Sequence, residues 1–96
     1  MITTSGLIIY NFPTMEVRKK DDVVFLKKLG ERISTLRKQK GMLQVELASL
    51  LDIEKSNMSR IEAGNTNPTI LLLKKICVVL EVNVENLLKD LDYESL

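Results

Sequence analysis

The sequence predicts an all-α fold of five helices, and three observations predict it. From residue 23 onward apolar residues recur at the three-and-four spacing of a helix, not the alternation of a strand. Gly41, the Asp52–Glu54 turn, Gly64 with the Asn65–Pro68 loop, and Asn83 cut that pattern into short segments. The 45% hydrophobic and 28% charged fractions are those of a globular chain, and 96 residues make a single domain.

The elements follow in order. Residues 1–22 read as an arm outside the helical pattern. Met1–Pro13 is rich in β-formers and poor in charge, and Glu16–Asp22 is a mixed charge cluster without an apolar period. The arm is either a terminus without fixed structure, the favoured reading, or holds a short strand at Leu7–Phe12 that would pair with a second subunit. Met15 is a second candidate start. The domain proper spans 23–92, with a tail at 93–96. In helix one Leu26, Leu29, Ile33 and Leu36 form one stripe, and Gly41 ends it. Helix two runs from Gln44 to Leu51 with Leu47, Ala48 and Leu51 inward. Helix three runs from Lys55 to Ala63 with Met58 and Ile61 inward, and Gly64 stops it. Helix four, Thr69–Leu80, buries Leu73, Ile76, Cys77 and Leu80. Asn83 caps helix five, Val84–Leu91.

Composition excludes several functions. Without histidine there is no imidazole base, so Ser-His and Cys-His catalysis are ruled out, and no catalytic constellation replaces them. One cysteine makes neither an internal disulfide nor a multi-cysteine zinc site, and no metal or cofactor is expected. Cys77 reads as a buried, inert thiol. No apolar run is long enough to span a membrane or form a signal-peptide core, so a cytoplasmic protein is expected.

The informative stretch is Gln44–Gly64: two short helices, a tight turn between them, and a small residue, Ala48, where they must cross closely. Projected on a wheel, Lys55, Ser56, Ser59, Arg60 and Ala63 share one face of helix three. That face is short, polar, basic and free of acid. Arg and Lys donate to guanine edges and Ser pairs with several bases, so the face suits a DNA major groove. Asn57 flanks it, and Gln44 opens helix two, where backbone N–H groups point at a phosphate.

These residues carry a family resemblance. The stretch from Leu29 to Gly41, then Gln44–Ala48, Ser56–Gly64, Asn67–Pro68 and Leu72–Ile76, resembles the phage-repressor (Cro-type, XRE) helix-turn-helix family over about residues 25–90. The resemblance implies a five-helix lambda-repressor-like DNA-binding domain that docks as a dimer on a two-fold operator. It implies a phosphate contact at Gln44, base-reading positions at Lys55, Ser56 and Arg60, a phosphate-approaching loop at Asn65 and Thr66, and a buried ion pair between Arg37 and Glu62. The chain departs from the pattern at Leu43, where Ser or Thr usually caps helix two, at Asp52, usually glycine, and at Glu54, usually Ser or Thr.

The function expected is a sequence-specific double-stranded DNA-binding transcriptional regulator, a repressor, acting as a homodimer on a near-palindromic operator. Helices four and five would form the dimer interface through some of Leu71, Leu72, Val79, Val84, Leu88 and Leu91. The alternative is an antitoxin or other interaction module whose main partner is a toxin protein, with DNA binding as autoregulation. The net charge of +1 does not oppose DNA. Residues 1–64 carry eleven Lys/Arg against eight Asp/Glu, and the acids after residue 80 cancel that excess from the far end.

Overall fold

The computed structural model describes the backbone of residues 11–91 and the side chains of residues 19–91. Five helices follow in order: α1 (Asn11–Gln39), α2 (Gln44–Leu51), α3 (Lys55–Ala63), α4 (Ile70–Leu80) and α5 (Val84–Leu88). The all-helical, five-helix expectation holds among the described residues, with the two inner helices at their expected bounds.

The N-terminal region differs from expectation. Residues 11–22 are not an irregular arm: α1 runs unbroken through them from Asn11. The physical reason is cooperativity. The packed segment beyond Phe25 supplies the nucleus, and each further turn then needs only propagation. Pro13 falls in the first turn, where backbone N–H groups need no helical partner. Among the described side chains of that stretch and just beyond it, Lys19, Lys20, Asp22, Val23 and Val24 are exposed, in keeping with the missing apolar period. Of the strand expected at Leu7–Phe12, Asn11 and Phe12 are helical and the rest lies outside the described residues, as does the 93–96 tail.

One core holds the helices together. Leu29 and Ile33 of α1 meet Leu47, Ala48 and Leu51 of α2, Met58 and Ile61 of α3, and Leu73, Ile76 and Leu80 of α4, all buried. Ile53 of the turn packs against this core, as its apolar side chain predicts. Cys77 is buried on the α4 stripe, and burial pushes its thiol pKa up.

The glycines mark where backbones touch. A Cβ on Gly30, inside α1, would lie 2.4 Å from the carbonyl oxygen of Glu62 and 2.6 Å from that of Ile61. Gly64, at φ +78°, ends α3 against Lys27, whose Cα would stand 2.6 Å from an added Cβ. Both glycines therefore let α1 cross the C-terminal end of α3 at backbone contact.

Helix ends follow their sequence signals in α4 and α5. Thr69 caps α4 through its hydroxyl, which accepts from Leu72 N–H at 3.1 Å, so the helix starts at Ile70, one residue later than the expected Thr69. Asn83 Oδ1 accepts from Asn86 N–H at 2.7 Å. Helix α5 stops at Leu88 rather than Leu91, because Lys89 takes an extended conformation and Asp90 a left-handed one. The Arg32 guanidinium meets the freed carbonyls, donating to Asn86 O at 2.8 Å and Lys89 O at 3.0 Å. Leu91 still reaches the core, at 2% exposure, and so is not an interface residue. Lys40 pairs with Glu81, joining the end of α1 to the end of α4 and holding the Glu81 carboxyl below the usual carboxylate range.

Candidate nucleic-acid interface

The surface is built on α2 and α3. Asp52 ends α2 in the left-handed conformation, φ 59° and ψ 44°, and its N–H and that of Ile53 return to the carbonyls of the last α2 turn. That reversal sends α3 across α2, and Ala48, almost fully buried, lets the two helices meet closely.

One buried polar network fixes α3 in position. The Arg37 guanidinium donates to both Glu62 carboxylate oxygens, Nε to Oε2 at 2.7 Å and Nη2 to Oε1 at 3.0 Å. Its remaining nitrogen donates to Met42 O at 2.7 Å. The two side chains are only 9% and 6% exposed. A forked, bidentate pair of this kind fixes orientation as well as distance. The hydrogen bonds to Glu62 hold the Arg37 pKa above its ordinary value, against the opposing effect of burial. The expected α1–α3 ion pair is thus present, with a third member that sequence reasoning did not find. Gln44 Nε2 donates to Glu62 Oε1 at 3.0 Å, which ties the start of α2 to the same carboxylate. The only sequence signal for it is the position of Gln44 at the first turn of α2, the same position at which a phosphate contact is expected from the sequence.

With its inner face held, α3 presents Lys55, Ser56, Ser59 and Arg60, all exposed, as the wheel predicted. Asn57 is half-buried. It lines a shallow depression of about 600 Å³ with Ser49, Asp52, Ile53, Glu54 and Lys55, which borders the face at its N-terminal end. Beyond Gly64, Asn65 is exposed and Thr66 half-buried. The structure therefore brings Lys55, Ser56, Ser59 and Arg60 together on α3, places Gln44 at the neighbouring start of α2, and sets Asn65 and Thr66 at the far end of α3.

The departures at the caps have visible consequences. Neither Leu43 nor Glu54 makes a side-chain cap hydrogen bond to its helix. At α2 only the reciprocal half of a capping box forms, with Glu46 Oε1 accepting from Leu43 N–H at 2.7 Å. Both helix N-termini thus keep backbone N–H groups that an anion suits.

Comparison with known proteins agrees with this geometry. A family model described as helix-turn-helix matches residues 33–87. The chain is 43% identical over 65 residues to the HTH-type transcriptional regulator SinR of Bacillus licheniformis, covering 67% of this chain and 59% of that protein. It is 43% identical over 63 residues to SinR of Bacillus subtilis, covering 65% and 57%. The chain thus spans under two thirds of the length of these curated relatives. Among solved structures it resembles the restriction-modification controller protein C.AhdI from Aeromonas hydrophila, with a TM-score of 0.62 at 31% identity over 65% of this chain and 94% of that one. It shares its fold with the clp gene regulator ClgR from C. glutamicum, with a TM-score of 0.68 at 24% identity over 75% and 92%. With the matched model spanning α2 and α3 and the network that sets their crossing, the chain belongs to the phage-repressor-like (XRE) helix-turn-helix family.

Proposed function

We propose that this protein is a sequence-specific double-stranded DNA-binding transcriptional regulator, acting in the cytoplasm as a repressor. One observation carries the reading: the acid-free face of Lys55, Ser56, Ser59 and Arg60 is fully presented, while the Arg37–Glu62–Gln44 network holds its inner side. A helix so held enters a major groove as a rigid reader, with its N-terminal residues at base edges. Lys55 and Arg60 donate to guanine, and Ser56 and Ser59 pair adaptably. The start of α2 at Gln44, and the Asn65–Thr66 loop, meet phosphates and set the register.

The relatives bear names of transcriptional regulators, which supports the same reading. We further propose a homodimer on a near-palindromic operator, formed through α4 and α5. Of the apolar residues considered for that interface, Leu71 and Val84 are exposed, joined by Ile70 and Val78. Leu72, Val79 and Leu88 are half-buried against the core.

In-vitro selection of bound DNA from a random duplex pool tests the proposal. A two-fold symmetric consensus with half-sites about 34 Å apart is the expected result. On that consensus Arg60→Ala should weaken binding by about 1–3 kcal/mol and relax preference at one base position. Unchanged affinity and preference would remove Arg60 from the reading face.

A further inference from the structure

We propose that the N-terminal half of α1 is a second DNA-contacting element, in which Lys19, Lys20 and Lys27 hold the phosphate backbone flanking the groove that α3 occupies. The inference rests on the reading of α3 as a groove-binding helix and says which way the flanking backbone runs.

The placement comes from the glycine crossing. Gly64 closes α3 directly against the backbone of Lys27, where the Asn65–Thr66 loop departs. When the N-terminal residues of a helix face base edges, its C-terminal end lies toward the rim of the groove, where phosphates run. Lys27 therefore stands at that rim. From there α1 continues as one helix back to Asn11, past the packed part of the domain. Lys19, Lys20 and Lys27 are all exposed.

Helix geometry arranges the charges. With about 100° between successive residues, Lys20 and Lys27 fall on one side, and Lys19 lies about a quarter-turn round toward α3. Asp22 falls opposite Lys20 and Lys27 but about 60° from Lys19, and Asp21 is half-buried on the flank away from Lys19. Glu31, exposed one turn beyond Lys27, ends the basic run. Lys19 to Lys27 spans about 12 Å of helix, a reach of about three phosphates of one strand. Lysine binds phosphate as a point charge without reading sequence, so this element raises affinity and salt sensitivity and leaves base preference alone.

The test compares wild type with the triple variant Lys19→Gln, Lys20→Gln, Lys27→Gln. The probe is the duplex recovered by in-vitro selection with the wild-type protein, prepared with long and with trimmed flanks. The variant is expected to bind the long duplex about tenfold or more weakly. Its dependence of log affinity on log salt should be shallower by about 2–3 per protomer, with the selected consensus unchanged. Trimming the flanks should weaken wild type and leave the variant nearly unaffected. An unchanged salt slope, or an equal loss on trimming for both proteins, would overturn the proposal while α3 stands as the reader. If wild type enriches no duplex, the α3 reading fails and this proposal falls with it.

Discussion

At the scale of single residues, the Arg37–Glu62 pair is the clearest case of position outweighing charge. It is buried and doubly hydrogen-bonded, so removing one partner leaves the other charged and unmatched. Glu62→Ala should therefore cost about 3–5 kcal/mol in urea unfolding. The loss of operator affinity should follow the loss of fold rather than a lost contact. The pair is implied by family resemblance, whereas the Gln44 bond to the same carboxylate was not legible. Gln44 and Glu62 sit on different helices, and nothing local to either residue says that they meet. Cys77 illustrates the opposite situation, since its place on a local apolar stripe sufficed. Its raised pKa and burial leave little accessible thiolate. A thiol reagent such as a disulfide dye should modify native protein far more slowly than urea-unfolded protein at the same pH. Equal rates would show that the thiol is not buried.

At the scale of the elements, glycine and left-handed positions decide the geometry. Read as propensity, Gly30 is a weak point inside a helix, and alanine would gain about 1 kcal/mol there. The structure reverses that sign. The added Cβ would meet two backbone carbonyl oxygens of α3, which cannot rotate away as a side chain could. Gly30→Ala should destabilise by about 1–3 kcal/mol or force α3 to shift, lowering the urea midpoint and operator affinity together. Asp52 presents the reverse opportunity. It holds φ 59° at the end of α2, where glycine carries no Cβ penalty. Asp52→Gly should stabilise by about 0.5–1 kcal/mol, measured as a higher urea midpoint, after the larger unfolded-state entropy of glycine is deducted. The sequence showed that Asp52 stands at a turn. The backbone angle that makes aspartate costly came from the structure.

At the scale of the whole molecule, the proposed dimer rests on the outer side of α4. Leu71 is 67% and Val78 68% exposed on the outer side of α4, with Lys74 and Lys75 beside them. On the dimer reading, Leu71→Lys with Val78→Lys should give a monomer in sedimentation equilibrium whose helical circular dichroism matches wild type. Its operator affinity should fall through lost pairing. A variant that remains dimeric would move the interface elsewhere. Charge acts at this scale as well. The basic excess lies in the first two thirds of the chain and the acids gather after residue 80, so a net charge near zero conceals a polar distribution.

The sequence by itself determined the five helices of the described residues, most of their bounds, the core stripes and the four exposed side chains on the polar face of α3. These follow from short-range periodicity and cap chemistry, which are local properties. Only the tertiary structure decided that α1 runs back to Asn11, that α5 stops at Leu88, and that Gly30 and Gly64 are the crossing point of α1 and α3. It alone decided that Gln44 and Arg32 hold other helices in place. Each of these depends on which backbone atoms approach one another after the chain has folded. Residues far apart in sequence become neighbours through close packing, and no local pattern encodes that distance.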